Sequence, residues 1–273
     1  MGAQSTQLEF PQWLALDAGA TRIRVAPVVV SPEGLELAGQ PLIQSFSSAS
    51  GPGRVAQAAS LLQVVAQQQG WTGPFRVALA WAGAPTADGR GIQAARYGPV
   101  IPSLVAELGS LFPLAHEPVV HSDSRAALEG AMLGQAGLSA YAALSGSGLG
   151  EAFFDQGMSW PREDFIEHFG AASQWDWQGK DAESWLRAAS WRPAAGDDPD
   201  PSYVQALLAL LKHRRSTRPF DVVFLGGHFL EWLSRGWITA ADLAPWGPGE
   251  LRPLLPEMSL LGSVQMERRR QGS

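Results

Sequence analysis

Between Leu14 and Val25 the sequence runs Leu-Ala-Leu-Asp-Ala-Gly-Ala-Thr-Arg-Ile-Arg-Val. An apolar run ends in an acid, Asp17. Small residues follow, then a hydroxyl at Thr21, then a run that alternates apolar with basic. Such alternation marks a strand with one buried face. The segment therefore reads as a β-hairpin, with Leu14–Asp17 and Thr21–Val30 as its strands. Backbone N–H groups in a small-residue turn can cradle a phosphate closely. A carboxylate beside them suits hydrated Mg2+, which takes few carboxylates plus water and phosphate oxygens. Asp17, Gly19 and Thr21 are thus candidates for holding phosphate, with Asp17 reaching Mg2+ through water.

The rest of the 273 residues must supply a partner for that turn. The length suits two domains or one large one. With no cysteine, disulfides, cysteine-ligated structural zinc and thiol catalysis are excluded. A formal net charge of −6 argues against nucleic acid as a partner. The two basic clusters, Lys212-His213-Arg214-Arg215 and Arg268-Arg269-Arg270, read as solvated charge. No apolar run approaches the roughly 18 residues that span a bilayer. Residues 1–12 lack a basic segment followed by an apolar core, so a cytoplasmic protein with no membrane partner is expected.

Along the chain, Leu35–Gln44 reads as a third strand, Val55–Gln69 as a helix and Phe75–Trp81 as a strand. A glycine- and alanine-rich connection spans Gly83–Tyr97. Ile101–Phe112 is helical, Pro118–His121 extended, and Ser124–Leu133 helical with Asp123 or Ser124 as its cap. A second unit begins at the strand Ala140–Leu144 and returns along Glu151–Phe154. Helices are expected at Arg162–Phe169, Asp181–Ala189, Pro201–Arg214, His228–Arg235 and 258–268, with a strand at Asp221–Leu225. Trp175, Trp177, Trp185 and Trp191 read as core or interface aromatics.

Two further glycine turns stand where strands end, Gly146-Ser147-Gly148-Leu149-Gly150 and Leu225-Gly226-Gly227. A fourth segment, Val119-Val120-His121-Ser122-Asp123-Ser124-Arg125-Ala126-Ala127-Leu128, ends a strand on an acid that opens a helix. In a cleft between phosphate-binding hairpins, the Asp123 carboxylate is placed to accept a proton from a substrate hydroxyl.

In this order, the four segments resemble the repressor–ORF–kinase (ROK) group of glucokinase-like sugar kinases, within the actin-like ATPase superfamily. Asp17-x-Gly19-x-Thr21 is similar to the family's first phosphate motif, and Gly146-Ser147-Gly148-x-Gly150 to its second. Val222 to Gly227 resembles its adenosine motif, with Gly226 and Gly227 beside the nucleoside. Ser122–Leu128 resembles the segment that bears its catalytic base, and Leu260-Leu261-Gly262-Ser263 its closing segment.

The resemblance implies a two-lobed actin-like ATPase (ribonuclease H-like) α/β fold, each lobe a mixed sheet flanked by helices. The lobes would be 1–121 and 122–257, with 258–273 as a closing helix packing back on the first. It implies ATP-dependent phosphorylation of a sugar-like hydroxyl, Mg2+ as cofactor, Asp123 as base and a tendency toward homodimers. Ser122, Glu151, Glu167 and His168 fall on the substrate side. Here the chain departs from the family. Ser122 and Ser124 replace its asparagines, the Glu-x-x-His segment is not intact, and the cysteine-rich zinc motif is missing. The N-acetylglucosamine kinase/BadF-type branch shares the phosphate motifs. A non-catalytic nucleotide- or ligand-binding protein on the same fold is the reading from another class.

Overall fold

The structure is a computed structural model; it describes residues 12–95, 97–155, 157–160, 175–191, 200–246 and 250–272. The opening hairpin is β1 (Gln12–Ala18) and β2 (Arg22–Ser31), antiparallel, with Asp17 directly opposite Arg24. The single strand expected over Leu35–Gln44 is two short ones, β3 (Gly34–Leu37) and β4 (Leu42–Ser45). Both pair with β2, at its two ends. Gly39 and Pro41 lie in the gap, where neither residue type favours continuing a ladder.

Helix α1 (Gly51–Gln68) follows, capped by Ser50, whose hydroxyl accepts from Gly53 N at 3.2 Å. Val55, Ala58, Leu61, Leu62 and Val65 form its buried face. Strand β5 (Arg76–Trp81) runs parallel to β1. The Gly83–Tyr97 connection carries a small ribbon, β6 (Ala84–Pro85) with β7 (Ile92–Ala94). Helix α2 (Leu104–Leu111) starts later than expected, because Ile101 bridges back to Ile92. Strand β8 (Val120–Ser122) pairs parallel with β5 and completes a mixed sheet of order β3-β2-β1-β5-β8, with β4 beside β2.

Helix α3 (Asp123–Ala131) begins one residue before the sequence reading. Its cap is Ser122, not Asp123 or Ser124: the Ser122 hydroxyl accepts from Arg125 N at 3.3 Å. Asp123 is thereby placed in the first turn, where the helix dipole favours an anion.

The second sheet contains β9 (Ala140–Ser145), β10 (Leu149–Asp155) and β11 (Met158–Trp160). A minor ribbon follows, β12 (Asp176–Trp177) with β13 (Lys180–Asp181). The helix expected over Asp181–Ala189 is broken into α4 (Ala182–Leu186) and α5 (Ala188–Trp191), with Asp181 capping Ser184 N at 2.5 Å. The helix expected over Arg162–Phe169 lies outside the described residues. Helix α6 (Pro201–Thr217), strand β14 (Val222–Gly227), α7 (Phe229–Ser234) and the short α8 (Ala240–Leu243) follow. Strand β15 (Glu250–Leu254) was not foreseen. It joins the sheet at its edge, in the order β11-β10-β9-β14-β15, where Pro253 is tolerated.

Helix α9 (Met258–Gln271) returns to the first sheet. Its Leu260 and Val264 pack on Trp13, Ala15, Ala26, Val28 and Ala78. The opposite face of that sheet, with Leu14, Leu16, Ile23, Val25 and Leu79, is covered by α1 and α2. Helix α3 lies between the sheets: Ala126 meets Ala80 of the first, while Ala127, Leu128 and Met132 pack on the second. Helices α3 and α9 cross at glycines. A Cβ on Gly262 would stand 1.8 Å from Ala126 O, and one on Gly130 would stand 2.0 Å from Met258 O.

The arginines of the last turn of α9 are not simply solvated. Arg269 Nη1 donates to Glu129 Oε2 at 2.9 Å, and Arg270 pairs with the fully buried Glu267. Burial pushes the Glu267 carboxyl up, but His116, His121, Arg270 and the Val119 N–H outweigh it and hold it well below the usual carboxylate range. Among the described residues, no helix is long and apolar enough to cross a membrane.

Candidate active-site cleft

A cleft of about 860 Å3 opens between the sheets. The segments singled out in the sequence converge on it. The β1–β2 turn supplies Asp17, Gly19 and Thr21; the β8–α3 junction supplies Ser122, Asp123 and Ser124; the β9–β10 turn supplies Gly146, Ser147 and Gly148; the end of β14 supplies Gly227.

Asp17 is 3% exposed, and Arg24 Nη1 donates to its Oδ2 across the hairpin. Burial pushes the Asp17 carboxyl up; Arg24 and the Ser259 hydroxyl pull it only part of the way back. Asp123 is partly buried, and its Oδ1 accepts from Ser124 N at 2.8 Å. Its carboxyl is raised to about 6, first by burial and then by the negative charge of Asp17. Two carboxylates therefore share one wall, one neutralised by an arginine and the other poised near neutrality.

The turns are built for close approach. Gly19 N donates to Arg22 O at 2.9 Å and Gly146 N to Gly148 O at 2.8 Å, closing the two loops. Gly148 is hemmed in by Glu183 and Tyr97: a Cβ there would lie 2.6 Å from Glu183 Oε1 and 2.7 Å from Tyr97 Cε2. Gly227 has φ +62°, and a Cβ on it would stand 2.2 Å from Ser145 O, so only glycine fits. Gly226 packs between Leu144 and Leu254, one step behind the cleft wall.

One expectation is corrected by this geometry. Glu151 does not offer its carboxylate to the cleft. Arg214 grips both its oxygens, Nε to Oε1 at 2.9 Å and Nη2 to Oε2 at 3.2 Å, and the Tyr141 hydroxyl donates to Oε1. Both side chains are buried, at 5% and 2% exposure, so Arg214 is not the solvated helix-end charge its sequence neighbours suggest. Glu167 and His168 lie outside the described residues. Trp175, Trp177 and Trp185 pack on the second core, and Trp185 Nε1 donates to Trp177 O at 3.0 Å.

The sequence reading missed Arg24, Arg54, Tyr97, Glu183 and Ser259, all of which line the cleft. Only Arg24 had a local signal: in a hairpin turning at residues 18–21, Asp17 and Arg24 are cross-strand partners. The others arrive through tertiary packing.

The overall fold matches those of known proteins. An inorganic polyphosphate/ATP-glucomannokinase from Arthrobacter sp. strain KM superposes with a TM-score of 0.71 at 17% identity, covering 95% of this chain and 99% of that one. The fold is that of the ROK sugar kinases. A ROK family glucokinase from Streptomyces griseus, in complex with glucose and AMPPNP, gives 0.70 at 16% identity, covering 95% and 99%. A ROK family transcriptional regulator, a homologue of the E. coli MLC protein, gives 0.63 at 14% identity, covering 94% of this chain and 80% of that one. No family model matches the sequence. No curated relative matches it either. The actin-like ATPase architecture expected from the motifs is thus present, at identities that speak for the fold.

Proposed function

We propose that this chain is an ATP-dependent kinase of a sugar or sugar-like alcohol. The observation that carries this reading is Asp123, a cleft carboxylate raised to about 6 at the head of the helix between the sheets. Above that pH it is ionised and able to accept the proton of an acceptor hydroxyl as the hydroxyl attacks the γ-phosphorus of ATP. The bond from that phosphorus to the β–γ bridging oxygen breaks, and ADP leaves. General-base assistance of this kind is worth about 10²–10⁴-fold in rate. Positioning and charge neutralisation supply more.

The β1–β2 and β9–β10 turns would cradle the phosphates through Gly19, Thr21, Gly146, Ser147 and Gly148, and Gly226-Gly227 would let adenosine lie against β14. The described residues offer no cluster of three metal-binding side chains. Mg2+ in phosphoryl transfer needs none, taking one or two carboxylates with water and phosphate oxygens. Asp17, beside the phosphate turn and facing Asp123, fits that demand and would hold the ion through water. Bound there, Mg2+ supplies charge neutralisation on the phosphates. The lobes enclose the acceptor and exclude water.

Purified protein with ATP and Mg2+, offered hexoses, amino sugars, sugar acids and polyols, tests the reading. Phosphorylation lost in Asp123→Asn, with stabilisation by AMPPNP kept, is the expected outcome; undiminished turnover overturns it. A non-catalytic ligand-binding protein is the second reading, favoured by the regulator among the fold neighbours. It gains if no acceptor turns over and AMPPNP leaves the melting temperature unmoved.

A further inference from the structure

The cleft contains a cation that the proposed chemistry leaves without a task. Arg54, in the first turn of α1, lines the cleft beside the first phosphate turn. Its guanidinium is fixed from two sides: Nε donates to Ser48 O at 3.1 Å, and Nη1 to Ala20 O at 2.8 Å. It also lies 4.4 Å over the ring of Phe46. Both hydrogen-bond acceptors are neutral carbonyls. A guanidinium has five N–H donors; two are engaged, and three remain. Two neighbouring arginines are matched with acids, the partly exposed Arg24 with Asp17 on the cleft wall and the buried Arg214 with Glu151 behind it. Among the described residues, Arg54 has no carboxylate partner.

Burial lowers the Arg54 pKa, yet arginine keeps its charge. Partly exposed on the cleft wall, it keeps free donors facing a ligand, and a planar fork held in one orientation matches the oxygens of a carboxylate or phosphate. Gly98 lines the cleft beside it, within van der Waals reach of Nη1. Arg22, exposed on the same wall, adds a second positive charge. The charges that act most strongly on Asp123 are those of Asp17 and Arg24. Arg54 therefore addresses a part of the ligand other than the reacting hydroxyl.

We infer that Arg54 binds an acidic group on the acceptor, so that the acceptor is an acidic sugar derivative, a sugar carboxylate or a sugar phosphate, in place of a neutral hexose. This rests on the kinase reading for the reaction but not for the binding.

Glucuronate, glucose 6-phosphate and glucose are compared as acceptors and, without nucleotide, as stabilisers in thermal melts. At least one acid should exceed glucose by tenfold or more in kcat/KM, and its identity tells carboxylate from phosphate. In Arg54→Gln that ratio should collapse at least tenfold, through KM for the acid; Arg54→Lys, which keeps the charge but not the fork, should restore part of it. The inference is overturned if glucose is preferred, if Arg54→Gln lowers acid and neutral acceptors alike, or if it raises KM for ATP instead, which would give Arg54 to the donor phosphates. Failure of both acids to stabilise the wild-type protein overturns it as well, whatever the variants do. If ATP phosphorylates nothing but an acid stabilises wild type and not Arg54→Gln, the kinase reading fails and the acidic site stands.

Discussion

Asp123 illustrates how a carboxylate can be good for chemistry and bad for the fold. Its pKa rises from an ordinary 3.8 to about 6 on folding, so the native state binds its proton more tightly than the unfolded chain. Stability then falls as pH rises from about 4 to about 6, and the cost persists above that window. Asp123→Asn removes the cost and should stabilise the protein at pH 7 by up to about 3 kcal/mol, read by urea unfolding, while abolishing phosphoryl transfer. Activity should decline as pH is lowered through about 6, where the base becomes protonated. Glu151 serves the fold instead, through its buried pair with Arg214. Replacing it with Gln strands the buried Arg214 guanidinium and should cost about 3–5 kcal/mol. A large stability loss, with KM for the acceptor nearly constant in the surviving protein, is the expected pattern.

At the scale of elements, the crossing of α3 and α9 is set by Gly130 and Gly262. Gly262→Ala places a methyl against Ala126 O and should destabilise by about 1–3 kcal/mol or more, as overpacking does. Because α3 bears Asp123, the variant should also lose turnover in folded protein, measured per active site after titration with AMPPNP. The sequence made much of this legible. The alternation after Thr21, the glycine turns and the helical spacing of Val55 to Val65 all follow from short-range rules, and those elements are present. Boundaries fared worse where one residue decides them: Ser122 and not Asp123 caps α3, and Ile101 leaves its helix to bridge Ile92. Strand β15 was hidden because Pro253 forbids a central strand but not an edge one. Arg54, Tyr97 and Glu183 could not be found, since nothing local marks a side chain that meets its site only through the packing of two sheets.

For the whole molecule, the last helix is part of the first core. Leu260 and Val264 cover the face of Trp13, Ala15 and Ala78, and Glu267 accepts from Val119 N at 3.2 Å. Removing residues 258–273 should expose that face, and the remainder should fail to unfold cooperatively and should bind hydrophobic dye. An intact, sharply melting truncation product would show that the first sheet stands without α9. The same arrangement has a consequence during synthesis. Trp13 leaves the ribosome roughly 250 residues before its cover does, a delay of about 10–50 s at ordinary elongation rates. For that interval one face of the nascent sheet is bare, and its apolar side chains are open to association with other chains.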